Sequence, residues 1–209
     1  MRILIADDHA VVRRGLKQIL ADEFKKAEFG EAGNAREALE SIRKENWDAV
    51  VLDITMPGRS GLEALKEIKE AKPKLPVLVL SMHPEDQFAV RVLKSGASGY
   101  MTKESAPEEL VGAIKKVLVG GRYVSAALAE KMASYLAIDT PKPPHERLSD
   151  REFVVLRMIA SGRTVSQIAG ELSLSVKTVS TYRTRILEKM GMSSNAELTH
   201  YAIKNQVVE

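Results

Sequence analysis

Five short apolar runs, separated by stretches whose apolar residues recur at helical spacing, constrain this chain more than any other feature. The runs are Ile3 to Ala6, Ala27 to Ala32, Ala49 to Leu52, Val77 to Leu80 and Ser98 to Met101. Runs of this length read as strands. The stretches between them read as helices over Ala10 to Glu23, from Ala35, after Ser60, from near Pro84 and from near Ala106. Strands joined by helices pair in parallel through right-handed crossovers. The expected fold is therefore α/β, a doubly wound five-stranded parallel sheet of flavodoxin-like order 2-1-3-4-5. Asn34 with Glu37, Ser60 with Glu63 and Ser105 with Glu108 have capping-box spacing and mark three helix starts.

At 209 residues the chain has room for a second, smaller domain. Gly120-Gly121 stops the fifth helix. A further helix from about Ala126 to Leu136 leads into Asp139-Thr140-Pro141-Lys142-Pro143-Pro144, which reads as a semi-rigid linker because proline supports neither helix interior nor sheet pairing. Beyond it the periodicity is helical throughout. Ser149 with Glu152, Thr164 with Gln167 and Ser194 with Glu197 mark helices from about Asp150, Val165 and Asn195, and another begins after Ser175. The expectation is an all-α four-helix module, with domains at 1–121 and 147–209 and a linker helix and Pro-rich linker at 122–146.

Four of the five runs end in polar residues suited to phosphoryl chemistry: Asp7-Asp8, Asp53, Ser81 and, just past Tyr100, Lys103. In open parallel sheets the carboxyl ends of the strands form the ligand crevice, so these residues are expected to converge. Carboxylates about 4 Å apart repel by roughly 4 kcal/mol at an effective dielectric of 20. Such a cluster favours a hard divalent cation, and Mg²⁺ suits a carboxylate site open to a phosphodonor. Asp53 lies in Leu52-Asp53-Ile54-Thr55-Met56-Pro57-Gly58, where proline and glycine force a loop after the strand, as befits a nucleophile that attacks phosphorus in line. Lys103 and Ser81 could then bind the added oxygens. Taken singly, each aspartate also fits a plain role as a solvated strand end, and Tyr100 fits an ordinary strand aromatic.

The absence of cysteine excludes disulfides, thiolate metal sites and a thiol nucleophile, and accords with a reducing cytosol. Met1 to Ala6 is too short an apolar run for a signal peptide or membrane span, so the expectation is a cytoplasmic protein with no membrane partner. The four histidines, His9, His83, His145 and His200, lack metal-ligand spacing and read as surface or core residues. A net charge of +3 permits nucleic-acid binding without demanding it. Charge placement decides. In the helix after Ser175, Val179, Tyr182, Ile186 and Met190 form one apolar stripe, while Lys177, Ser180, Thr181, Thr184, Arg185 and Glu188 face the other way. A mostly cationic, hydroxyl-bearing helix fits the major groove. The Val165 to Glu171 helix joins it through Leu172-Ser173-Leu174-Ser175, a helix-turn-helix connector. Pattern alone fits a solvated bundle helix equally well.

The motifs Ile5-Ala6-Asp7-Asp8-His9, Leu52 to Gly58, Leu80-Ser81 and Gly99-Tyr100-Met101-Thr102-Lys103 resemble those of bacterial response-regulator receiver domains over roughly Met1 to Val119. That resemblance implies Asp53 as phospho-acceptor. It implies Asp8, Asp53 and the Thr55 carbonyl as Mg²⁺ ligands, with Asp7 acting through water. It makes Ser81 and Tyr100 the switch residues and Lys103 the phosphate-pairing lysine. The implied phosphodonor is a phosphohistidine on a sensor histidine kinase, and Thr55 and His83 flank the site where they could set the phosphoryl lifetime.

From about Leu148 to Ile203, Leu148-Ser149-Asp150-Arg151-Glu152, Ile168-Ala169, Leu174 to Val179 and Lys189-Met190 resemble the LuxR-type helix-turn-helix. The whole chain is similar to NarL/FixJ-type transcription regulators, and its recognition helix to that of the GacA/UvrY group. By position Ser180, Thr181 and Thr184 are implied base readers, with Lys177, Arg183, Arg185 and Lys189 near phosphates. The implied partners are double-stranded promoter DNA, a second copy of the chain when phosphorylated, and RNA polymerase. Tyr182 stands where the family commonly has histidine, and Ser180 and Thr184 stand where some members have lysine, so no operator sequence carries over. Two rival readings remain. An aspartate-nucleophile phosphohydrolase would need a second carboxylate where Thr55 stands. A constitutive DNA-binding protein would use the first domain only as a dimer scaffold.

Overall fold

The computed structural model describes residues 1–56, 60–82, 85–126, 128–130, 143–205, 207 and 208. The chain divides into two compact units, Met1–Ile138 and Asp139–Glu209. In the first, β1 (Arg2–Ala6), β2 (Glu28–Ala32), β3 (Ala49–Asp53), β4 (Val77–Ser81) and β5 (Gly99–Thr102) alternate with α1 (Ala10–Glu23), α2 (Ala35–Lys44), α3 (Gly61–Ala71), α4 (Glu85–Lys94) and α5 (Ala106–Leu118). The strands are all parallel, in the order β2-β1-β3-β4-β5.

Side chains alternate across a strand, and here both faces are covered. Ile3, Ile5, Val51, Leu78, Leu80 and Met101 form one core with Leu16 and Leu20 of α1 and Leu110, Ile114 and Val117 of α5. The alternate residues Leu4, Val50, Leu52, Val77, Val79 and Tyr100 are buried as well, on the opposite face. This explains why β3 and β4 read as continuous apolar runs rather than alternating ones.

Register brings the functional ends level. Ala6 lies opposite Leu52, Asp53 opposite Leu80 and Ser81 opposite Thr102, so the residues that follow each pair leave the sheet on one rim. The Lys103 N–H donates to the Ser81 carbonyl at 2.8 Å, pinning the β5 exit to the end of β4.

Three of the expected capping pairs behave as the spacing requires: Ser60 with Glu63, Ser149 with Glu152 and Thr164 with Gln167 form reciprocal boxes. Ser105 with Glu108 does not. Ser105 already has helical dihedrals, makes no side-chain cap bond, and its hydroxyl turns back to the Thr102 carbonyl at 3.2 Å. Past α5, Tyr123 hydrogen-bonds along β5, its N–H donating to the Ser98 carbonyl and its own carbonyl accepting from Tyr100. That contact covers an otherwise open sheet edge. It also explains Gly99, where a Cβ would lie 2.7 Å from the Tyr123 carbonyl oxygen. Residues 126 and 128–130 are helical, with Leu128 buried. The rest of the helix expected to Leu136, and the start of the linker, lie outside the described residues, as do Pro57, Gly58, His83 and Pro84.

In the second unit a short 3-10 turn, Pro144–Arg147, precedes α6 (Asp150–Ala160), α7 (Val165–Glu171), α8 (Val176–Met190) and α9 (Asn195–Lys204). Phe153, Leu156, Ile159, Ile168, Val179, Ile186, Met190, Leu198 and Ala202 make its core. The α7–α8 connector turns through Ser173 at φ +54°, a left-handed conformation that terminates α7.

Candidate functional site

At the carboxyl rim of the sheet, Asp7, Asp8, His9 and Asp53 each offer a ligand atom within 4.8 Å of the others. The side chains are held from several directions. Asp7 Oδ1 accepts from the His9 N–H at 2.7 Å, while Arg13 Nη1 donates to the Asp7 carbonyl at 2.6 Å and ties α1 to the β1 exit. Asp53 Oδ1 accepts from the Thr55 N–H at 2.9 Å, and Asp53 Oδ2 accepts from Lys103 Nζ at 2.8 Å. The same ammonium lies 2.6 Å from Asp7 Oδ2. Gly61 sets the loop's exit, for a Cβ there would lie 2.0 Å from the Asp53 carbonyl oxygen. Only a residue without a side chain lets α3 approach this closely.

Electrostatically the pocket is unbalanced. Asp7 and Asp53 are each 1% exposed, and among the described residues they share one ammonium. Burial pushes the Asp53 carboxyl above the usual carboxylate range, and Lys103 only partly offsets this. Burial pulls Lys103 the other way from its partners, but Asp53 and Asp7 together hold the ammonium above the ordinary lysine value. Asp8 Oδ1 is buried and accepts no hydrogen bond; the His9 ring lies 3.0 Å away and counts as a charge partner only when protonated. A buried acceptor without a donor, in an all-oxygen set of three carboxylates, fits a hard divalent cation such as Mg²⁺. The candidate holders are Asp8, Asp53 and the Thr55 carbonyl. Asp7 is occupied by Lys103 and the His9 N–H, which suits an indirect role. Ser81 and Tyr100 are fully buried beside this rim, Ser81 opposite Thr102 and Tyr100 opposite Val79.

In the helical unit, Lys177, Ser180, Thr181, Thr184, Arg185 and Glu188 of α8 are all exposed. The residues named for phosphate contact do not behave alike. Lys177 and Arg185 make no side-chain hydrogen bond or ion pair among the described residues. Arg183 instead donates from Nε to Asn195 Oδ1 at 2.6 Å, toward the start of α9. Lys189 pairs with the buried Glu152 of α6 at 2.6 Å. Both therefore brace α8 against neighbouring helices. Arg13, Gly61 and Glu152 were not singled out as site residues from sequence. Arg13 falls one helical turn after His9, a spacing that puts it over the β1 exit, but its target is a main-chain carbonyl that no side-chain pattern reveals.

Comparison with known proteins agrees with this arrangement. The response regulator receiver domain model matches residues 3–115, and the model of bacterial regulatory proteins of the luxR family matches 146–202. The chain therefore belongs to the response regulators of the NarL/FixJ family, transcription regulators that bind DNA under the control of phosphorylation. It is 36% identical to response regulator UvrY of Escherichia coli K12 over 98% of this chain and 94% of that protein. It is 38% identical to response regulator GacA of Pseudomonas aeruginosa over 100% of this chain and 98% of that protein. Among solved structures it is similar to RcsB of Salmonella enterica serovar Typhimurium, bound to promoter rprA in the presence of phosphomimetic BeF3⁻. The TM-score is 0.64, at 28% identity, covering 96% of this chain and 98% of that one. No helix among the described residues is long and apolar enough to cross a membrane.

Proposed function

We propose that Asp53 accepts a phosphoryl group from a phosphohistidine of a partner sensor histidine kinase, and that this event controls dimerisation and promoter binding. The observation that carries the reading is Lys103, held between Asp7 and Asp53 at 2.6 and 2.8 Å where the phosphoryl oxygens would arrive. An Asp53 carboxylate oxygen attacks phosphorus, the P–N bond to the donor imidazole breaks, and the leaving imidazole takes up a proton. The Thr55 N–H on Oδ1 holds the carboxylate so that its attacking oxygen faces the donor. Asp8, Asp53 and the Thr55 carbonyl would hold Mg²⁺, which would supply positive charge to offset repulsion between carboxylates and phosphate. Lys103 then exchanges its Asp53 contact for a phosphoryl oxygen, and Ser81 donates to another.

A phosphate pulling on Ser81 acts on the end of β4, next to the strand that carries Tyr100, and so repacks the outer face of the sheet. Thr55 supplies a main-chain contact but no carboxyl group to act as acid or base. Turnover of phosphate esters is not the role of this site, and loss of the acyl phosphate is slow. The domain division is 1–121 receiver, 122–146 connecting segment and 147–209 DNA-binding module, in a cytoplasmic protein. Lys177 and Arg185 contact phosphates of promoter DNA, while Ser180, Thr181 and Thr184 face base edges; RNA polymerase is a further partner. The RcsB structure with promoter DNA and a phosphomimetic supports this assignment.

The test is operator affinity of wild type and Asp53→Ala, each with and without a small phosphodonor and Mg²⁺. Wild type should gain affinity on phosphorylation and the variant should not. A variant that gained as much would overturn the reading.

A further inference from the structure

On α8, Thr181 and Thr184 are exposed on the face turned away from the domain core, yet their hydroxyls are already used. Thr181 Oγ1 donates to the Lys177 carbonyl at 2.9 Å and Thr184 Oγ1 donates to the Ser180 carbonyl at 3.1 Å. A hydroxyl has one hydrogen. Once it is given to the helix's own carbonyl, the group has no donor left for guanine O6 or N7, adenine N7 or thymine O4. Redirecting it to a base would break one hydrogen bond to make another, with little net gain. Each oxygen then keeps only its acceptor capacity, and the Cγ2 methyl is the substituent that remains for an apolar contact.

The same face begins with Val176, which leaves 51% of its surface exposed in the first turn of α8. Residues 176, 177, 180, 181 and 184 share one face of the helix, so Val176 and the two threonine methyls are apolar points on it, interspersed with Ser180 and Lys177. Lys177 on this face and Arg185 at its edge carry positive charge with no side-chain partner among the described residues, which suits a polyanion rather than an apolar protein partner. Of the four base pairs, only those containing thymine show a methyl group in the major groove.

We infer that this helix recognises thymine C5 methyl groups, through Val176, Thr181 and Thr184, and does not donate to bases from its threonine hydroxyls. Ser180 is the hydroxyl on this face that makes no side-chain hydrogen bond among the described residues, and it is the base-edge donor. The inference rests on the reading of α8 as the DNA-binding helix. It adds the chemistry of the preferred operator, which is duplex DNA carrying methyl-bearing pyrimidines in the half-site major groove.

The test uses the full chain and a duplex selected from random DNA by the wild-type protein. The duplex is then resynthesised with deoxyuridine replacing thymidine, one half-site position at a time, which removes the methyl and nothing else. Wild type should lose about fourfold in affinity for each contacted methyl. At the position read by Thr181, Thr181→Ser should show no further loss on uracil substitution, because serine has no methyl to contact it. Thr181→Val, which keeps the methyl shape and lacks the hydroxyl, should bind more tightly than Thr181→Ser. Equal wild-type affinity for the thymine and uracil duplexes would overturn the inference, and so would tighter binding by the serine than by the valine variant. Failure to select any duplex would instead overturn the assignment of α8 to DNA, and this inference with it.

Discussion

In the receiver unit, Asp7 and Asp53 are shut away from water and find, among the described residues, only the half-buried Lys103 as a cation, whereas on α8 Lys177 and Arg185 stand in solvent with no side-chain partner among the described residues. The two regions hold charge for different purposes. Buried like charges raise the energy of the free pocket, so a cation or a phosphoryl group that redistributes them changes the folded structure itself. Exposed cations cost the fold little and, in the proposed function, would act through the counterions they displace from DNA. A third arrangement joins these extremes. The buried Glu152 carboxylate pairs with Lys189 at 2.6 Å while also accepting from the Ser149 N–H at 2.7 Å, and there the charges balance.

Removing the ammonium that Asp7 and Asp53 share should have the largest effect. Lys103→Ala leaves Asp7 and Asp53 buried without their cation and should cost about 3–5 kcal/mol in metal-free buffer. Denaturant unfolding with chelator and with Mg²⁺ measures it, and Mg²⁺ should recover part of the loss. An unchanged midpoint would mean that the carboxylates are relieved by water, and the contrast with α8 would fall.

The balanced pair comes next. Glu152→Gln keeps a capping side chain but removes the charge on which Lys189 sits, at an expected cost on the order of 2 kcal/mol. Hydrogen exchange in the full chain should show the loss in residues 150–204 and leave the sheet protected. Acid sharpens the contrast, because the two regions should respond with opposite sign. Glu152 is held below the ordinary glutamate value by Lys189 and Ser149 against the effect of burial, so its contribution is complete above that value and vanishes as pH falls through the lowered one. Asp53 is raised by burial. Its charged form therefore weakens the metal-free fold above the raised value, and that penalty is lifted on acidification below the ordinary aspartate range. Exchange followed from neutral pH down through and below the ordinary carboxylate range, in the presence of chelator, should show the helical unit loosening relative to the sheet. Parallel loosening would contradict the assignment of the two environments.

The smallest expected effect separates the lysines of α8. Lys177→Ala should reduce the slope of log affinity against log salt by about 1, as for one lost phosphate contact. Lys189→Ala should leave that slope unchanged and lower thermal stability instead. Equal slope changes would return Lys189 to the DNA face.

What could be read from the chain follows the range of the interaction. Strand and helix order was legible because each core strand is an uninterrupted apolar run between capped helices, and the rim residues were legible because parallel register carries Asp7, Asp53, Ser81 and Lys103 to one edge. Local signals failed where a competing local bond wins, as at Ser105, whose hydroxyl goes to Thr102. They also failed where a residue's use depends on another element. Spacing places Arg183 and Lys189 on α8, but only the packing of α6 and the start of α9 shows that Glu152 and Asn195 take them. Gly61 carried no signal in the sequence, because its close approach to the Asp53 carbonyl depends on where α3 packs.

The central claim is that control enters the protein as a phosphoryl group on Asp53 in the acidic pocket. Phosphoryl incorporation from a small phosphodonor, followed by intact mass and mapped to a residue, with Mg²⁺ and with chelator, tests it most directly. One alkali-labile phosphoryl group should appear, on Asp53, formed only with the divalent cation. Incorporation at another residue, or at an equal rate in chelator, would contradict it.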